Sequence, residues 1–542
     1  MDWRKVCAFG LILALVVTFG VACQKAAGPK AAAEQYLRYN LGTEPETLDP
    51  AKMTGIPEFT CLLHFMEGLT RTQPDGMAGP GMATKWEIAD NGTKYTFHLR
   101  NATWSNGDAV TAGDFEYAWK RVLDPATAAD YAYQCYYIKG GQAYNEGKGS
   151  RDDVGVKALD AKTLEVTLEA PCPYFLGLTS FQTYMPLPQK VVEANPNWWA
   201  DAATLVSNGP FTVTAWEHQN KLDFAKNPKY WNAKNVKLAK ITYTMVEEAS
   251  TELTMYETGE LDLADNPPLA DMDRLKAEGK LGVSTLLGTY YYIFNCQKDP
   301  LDDARVRKAL TLATDRDAIV TNVTKGGQVP ATAFVPPSIP DAKTGPDFRS
   351  LGGEYYTDAD VTAAKALLVE AGFPGGKDFP ALEILYNTSE AHKAIAEAIQ
   401  EMWKQGLGIT GVTLTNQEWK VYLETRDQGN FQVARAGWLG DYVDPMTFLD
   451  MWVTGGGNNN SFWGTPEYDG LVESAKKMLD VDERFKTLHQ IEDILLENMP
   501  IMPIYYYVDL WCMQPYVQGV FFNPLGTKDF TWSYIAEHEA AK

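Results

Sequence analysis

Hydrophobic and polar positions follow a period of two in some stretches of this chain and a period near 3.6 in others. Period-two runs predict strands at residues 36–41, 95–100, 154–158 and 164–168, and along much of 211–243. Helical runs fall at 59–66 and at 249–258, the second closed by Gly259, and again at 302–313 and 358–371, the last stopped by Gly372 and Pro374. Thr111 and Asp114 have the spacing of a helix N-terminal cap, after which Phe115, Trp119 and Val122 share one helical face. Tyr290, Tyr291 and Tyr292 open a new segment. Strand, helix and strand follow at 382–386, 389–404 and 412–416, and helices at 468–479 and 482–497 lead into a strand at 501–511. That alternation predicts an α/β second half, and no internal repeat is visible.

One stretch, residues 431–449, carries more than a fold pattern. It begins as a strand, with Phe431, Val433 and Arg435 alternating with Gln432, Ala434 and Ala436, and then meets Gly437, Trp438, Gly440 and Asp441. The expectation is a short glycine-rich loop with a cation at one end, an anion at the other and an aromatic wall between. A glycine in such a pattern marks a place where another backbone comes close. Two readings stand on this stretch alone: a tight turn with a surface ion pair, and a ligand site.

Charge sharpens the second reading. The chain of 542 residues is long enough for several domains and carries a formal net charge of −22. An acidic surface argues against nucleic acid and against adsorption to anionic lipid, so cations in a pocket need a reason. The first 22 residues differ: Arg4 and Lys5 precede an apolar run that ends in small residues at Cys23, the layout of a secretory signal. Val21-Ala22-Cys23 resembles a bacterial lipobox with Gly20 in place of the usual leucine, which makes Cys23 the candidate lipidation site and residues 23–35 a flexible tether. Removing residues 1–22 takes away Arg4, Lys5 and Asp2 and leaves −23. Among the remaining cysteines, Cys61, Cys135, Cys172, Cys296 and Cys512 show no CxxC or zinc spacing, and their pairing stays open.

Enzyme motifs are missing from the sequence. Gly406-Leu407-Gly408-Ile409-Thr410-Gly411 fits GxGxxG, but it follows a helix and precedes a strand, so it reads as a helix stop rather than a dinucleotide site. There is no GxSxG and no HExxH, and the six histidines are scattered, so neither catalytic residues nor metal or other cofactors are assigned. Aromatic residues make up 12% of the chain and cluster at 131–137, 290–292 and 505–507, which suits a core with a large cleft.

The motifs NLGTEPETLDP, TFHLRNATWSNGDAVTAGDF, CPYF, SNGPF, KNPKYWN, DARVRKAL, ATDRD, LYNTSEAHK, NQEWKVYLETRDQG and VARAGWLGDYVDP occur in this order from about residue 36 nearly to the end. Together they resemble the oligopeptide-binding proteins of bacterial ABC importers, within family 5 of the extracellular solute-binding proteins. The resemblance implies an α/β, two-lobed periplasmic-binding-protein fold of type II, cluster C. The first lobe would comprise residues 36–66, 189–287 and 509–542, the extra domain inserted in it 67–188, and the second lobe 288–508.

It further implies a monomeric, non-enzymatic receptor in the periplasm or at the cell surface, held to the membrane through lipidated Cys23 and delivering short peptides to an ABC permease. By the same resemblance Asp441 takes the peptide ammonium, and Arg435 and His392 take its carboxylate. Gly437, Gly55 and Ile56 meet its backbone, and Thr54, Tyr131, Tyr291, Asn387, Trp419, Arg426 and Trp438 form pocket walls. Thr54 and Ile293 replace acids of close relatives, and Thr324 replaces a lysine. Gly288 and Leu439 occupy positions that some relatives bridge by a disulfide. The alternative is the same fold serving another solute, such as an oligosaccharide or a nickel chelate, or serving peptide sensing.

Overall fold

The computed structural model describes residues 30–538 apart from 74–77, 173, 343–345, 354 and 479. The expected signal and Cys23 lie outside the described residues. Residues 30–35, the end of the expected tether, are held to the C-terminal segment: Lys30 pairs with Glu537, Ala31 bridges Ala536, and the Ala32 N–H donates to the Ile535 carbonyl at 2.8 Å.

An eleven-stranded mixed sheet runs through the molecule. Ten of its strands are β1 (Tyr36–Asn40), β2 (Phe211–Glu217), β3 (Lys221–Lys226), β4 (Lys240–Thr244), β5 (Leu263–Asp265), β6 (Leu281–Phe294), β7 (Leu382–Asn387), β8 (Val412–Gln417), β9 (Val433–Leu439) and β10 (Ile501–Met513). Their spatial order is β8-β7-β9-β6-β10-β5-β1-β4-β3-β2, and Val329–Pro330 adds to β10. The two long strands, β6 and β10, lie antiparallel in the middle, so each contributes to both ends of the sheet. The three consecutive tyrosines do not open a segment; they sit near the end of β6, and Tyr290, Tyr291 and Tyr292 are all buried. A run buried on both faces lacks the alternation that would have revealed the strand containing it.

A separate four-stranded antiparallel sheet, Ala83–Ala89, Lys94–Leu99, Thr163–Thr167 and Val156–Asp160, packs against a helix over Ala112–Val122. That helix starts as its sequence predicts, with the Asp114 carboxylate accepting the Thr111 N–H at 2.8 Å.

Four other helices complete the site's frame: α1 (Ile56–Phe65), α2 (Glu390–Leu407), α3 (Trp419–Asp427) and α4 (Pro466–Lys477). Ser389 caps α2 by accepting the His392 N–H at 3.4 Å, and Gly408 ends it in the left-handed region at φ 76°. The GxGxxG is therefore a helix stop leading into β8. All five cysteines of the described residues are free, and four of them are buried. Gly288 lies directly opposite Leu439, whose side chain fills the space a second side chain would need.

Candidate functional site

The site is built on β9, which is longer than its sequence suggested. Gly437, Trp438 and Leu439 belong to the strand, so Arg435 is mid-strand and Asp441 stands two residues past its end. The first part of the expected glycine-rich loop is thus strand, and four residues at about 3.3 Å each carry the backbone roughly 13 Å from Arg435 to Leu439 before the bend that presents Asp441. The two do not form an ion pair.

One edge of β9 pairs with β6 over its full length, Tyr290 facing Gly437 and Tyr292 facing Arg435. The other edge meets β7 only at Val433 and Ala434. Beyond Ala434 that edge carries no strand among the described residues. The Tyr422 hydroxyl bonds to the Arg435 carbonyl on this side, while the Gly440 N–H turns the other way to the Leu287 carbonyl at 2.8 Å. Strand alternation then leaves the N–H and C=O of Gly437 and Leu439 on the open edge, available to an added strand.

Gly437 is required by a side chain and not by a second backbone. A Cβ there would run into the Tyr507 hydroxyl. That hydroxyl is 2.7 Å from Arg435 Nη2, and Asn387 Oδ1 is 3.3 Å from Nη1, while the Tyr290 ring lies 4.6 Å from the guanidinium carbon. Tyr505 and Tyr290 stack at 4.7 Å behind it. The arginine is held by neutral groups, and Nε has no partner. Substituting Gly437→Ala is expected to displace Tyr507, destabilise the fold by about 1–3 kcal/mol and weaken ligand binding about tenfold, measured by thermal denaturation and calorimetry.

His392 joins the same cluster, its Nδ1 3.3 Å from the Tyr290 hydroxyl. Burial, reinforced by nearby Arg435, holds the imidazole well below its ordinary pKa, so it is neutral. At the other end, Asp441 accepts Gln134 Nε2 at 2.8 Å, and its backbone N–H donates to Thr447 Oγ1 at 2.9 Å. No cation reaches it among the described residues. Burial pushes the carboxyl well above the usual range, and the charge of Asp450 adds to the effect.

A cavity enclosing about 1080 Å³ of space free of protein atoms, part of it open to solvent, lies along the open edge of β9. Thr54, Gly55, Ile56, Tyr131, Tyr291, Trp419, Arg426, Gly437, Trp438 and Asp441 line it, whereas Arg435, His392 and Asn387 stand beyond its lining. Gly55 precedes α1 in extended conformation, with the Glu58 carboxylate where a Cβ would point and the Trp419 ring close beside it. Trp438 stacks on Tyr131 at 6.1 Å and donates Nε1 to the Thr447 carbonyl at 2.7 Å.

Sequence reading missed Tyr422, Gln134, Thr447 and the role of Tyr507. Alternation along β10 places Tyr505 and Tyr507 on one face and could have found the last of these; Gln134 arrives from the region of the smaller sheet and left no signal.

A family model described as bacterial extracellular solute-binding proteins, family 5 Middle, matches residues 78–460. The oligopeptide-binding protein OppA of Bacillus subtilis is 43% identical over 92% of each chain. The murein tripeptide binding protein MppA of Escherichia coli superposes with a TM-score of 0.88 at 35% identity, covering 94% of this chain and 100% of its own. The same protein in an unliganded open form gives 0.63, with 94% and 99% covered at 34% identity. Haemophilus influenzae OppA in complex with the peptide RPPGFSPFR gives 0.87 at 35% identity, over 94% and 100% of the two chains. The cavity described above therefore belongs to an arrangement unlike that open form.

Proposed function

The chain belongs to family 5 of the bacterial extracellular solute-binding proteins, and on that premise we propose that it captures short peptides by their termini and backbone and delivers them to an ABC permease. The observation that carries this reading is the pair of unspent charges, Asp441 and Arg435, at either end of an open strand edge. A peptide laid antiparallel on β9 pairs its backbone with Gly437 and Leu439, puts its ammonium on Asp441 and brings its carboxylate to Arg435 or, in another register, to His392. Gly55 and Ile56 cover its other side, and Thr54, Tyr131, Tyr291, Asn387, Trp419, Arg426 and Trp438 form roomy walls for its side chains. Reading termini and backbone instead of side chains admits many sequences.

The two lobes, with the extra domain at 67–188, close over the peptide because the ligand's contacts are completed only in the closed state. Export, lipidation of Cys23 and membrane tethering of a monomer complete the proposal. Calorimetry with tri- to pentapeptides against their N-acetylated forms tests it: acetylation removes the ammonium and is expected to reduce affinity at least 100-fold. Equal binding of both forms would sink the role given to Asp441.

A further inference from the structure

A buried carboxylate, Asp450, stands close behind Asp441. The Asp441 N–H donates to Thr447 Oγ1 at 2.9 Å, and the helical turn Met446–Leu449 that carries Thr447 runs straight into Asp450. One strip of chain touches both acids: Gln134 donates to Asp441 at 2.8 Å, and the Tyr137 hydroxyl donates to Asp450 Oδ2 at 3.4 Å. Asp450 is not part of the cavity wall, which Asp441 and Met451 line; it faces a neighbouring groove. Lys476 of α4 reaches the same oxygen, Nζ to Oδ2 3.0 Å, and lies 5.4 Å from the Tyr137 ring centroid.

A buried ion pair repays little of the cost of withdrawing two ions from water, so stability is a weak reason for this one. Asp450 Oδ1 has no hydrogen-bond partner among the described residues. The other acid nearby, Asp444, is spent on Arg484 in two bonds of 2.8 Å. Burial raises the phenols around the two carboxylates, Tyr131, Tyr133, Tyr137, Tyr442 and Tyr468, so they stay neutral. What the pair does supply is a fixed negative charge near Asp441. After desolvation, the charge of Asp450 is the strongest influence on the Asp441 carboxyl, and it opposes ionisation. A like charge beside a carboxylate is costly while no cation is present and favourable once one arrives.

Resting on the peptide reading, we propose that Asp450, paired with Lys476, is a second acid of the ammonium end: without touching the peptide it acts through space, and a protonated N-terminus is selected by two negative charges instead of one. An ammonium that meets ionised Asp441 gains the attraction of Asp450 in full. Where Asp441 is protonated before binding, the ammonium only replaces a proton, and Asp450 favours both alike. The contribution of Asp450 is therefore largest above the raised Asp441 pKa and fades as pH falls through it.

Calorimetry with Ala-Ala-Ala and its N-acetyl form, read by displacement where binding is weak, compares wild type, Asp450→Asn and the double variant Asp450→Asn with Lys476→Met across about pH 4.5 to 7.5, where the peptide amine stays protonated. The double variant removes both charges together, leaves no unpaired ion buried and is expected to melt close to wild type. At the upper pH it binds Ala-Ala-Ala about three- to tenfold more weakly than wild type, with the N-acetyl form unchanged. Toward the lower pH the difference closes, and the acid limb of its affinity lies at lower pH than that of wild type. Asp450→Asn alone, which strands Lys476, shows a larger loss. Equal losses for the free and acetylated peptides, or a wild-type affinity and pH profile in the double variant, would make Asp450 and Lys476 a packing pair and overturn the assignment while leaving peptide binding intact. Failure of Ala-Ala-Ala and longer peptides to bind wild type overturns the peptide reading and this assignment together.

Discussion

Replacing Asp441 by Asn is expected to lower peptide affinity at least 100-fold and at the same time to raise the melting temperature of the empty protein at pH 7. The two effects share one cause. The carboxylate is partly withdrawn from water, accepts one amide hydrogen bond from Gln134 and faces no cation among the described residues, so desolvation and the charge of Asp450 raise its pKa well above the ordinary value. A carboxyl whose folded-state pKa exceeds its unfolded value stabilises the fold most below the unfolded pKa, near 4. That contribution is lost as pH rises through the raised folded value.

At pH 7 the peptide-free wild type therefore bears a penalty that Asn removes, and near pH 4 the two proteins should melt together. Binding reverses the sign, because a peptide ammonium favours the charged form. Truncating one partner of a desolvated pair costs roughly 2–5 kcal/mol. Thermal melts at the two pH values and calorimetry at pH 7 check the pair of outcomes. An affinity loss without stabilisation at pH 7 would mean that Asp441 is solvated in the empty protein.

Arg435→Met is expected to cost a comparable loss for peptides with a free C-terminus and little for the same peptides as C-terminal amides. The guanidinium is fixed by Tyr507, Asn387 and the Tyr290 face, all neutral, so its charge is unspent until a carboxylate arrives. Those three contacts orient the fork in advance and reduce what binding must spend on ordering it. A double-mutant cycle of protein variant against amidation measures the coupling, expected at about 2–3 kcal/mol. Independent, additive losses would show that Arg435 acts only by packing.

Local pattern carried most of the elements in the second half of the chain. The alternation in β7 and β8, the cap at Ser389 and the stop at Gly408 are short-range features, and the structure places strand, helix and strand where these predict. Buried runs were less legible. Tyr290 to Tyr292 look like a fresh start because a strand covered on both faces has no polar positions to mark its period. Gly437 and Trp438 look like a loop because glycine and a bulky aromatic after a strand suggest a turn; the pairing with β6 that keeps them in the strand, and the Tyr507 hydroxyl that leaves no room for a Cβ at 437, come from distant parts of the chain.

What the sequence by itself determined is the inventory: an acidic chain, an α/β pattern, a family resemblance, and Arg435 and Asp441 as charges worth explaining. It could not determine whether they pair with each other, since that depends on distance. The tertiary structure decided it. Pairing with β6 keeps β9 extended through Leu439, which holds the two charges apart, and β7 stops at Ala434, which leaves the edge between them open. Burial then raises the cost of each unpaired charge, and burial is a property of the packed chain that no local run of residues contains.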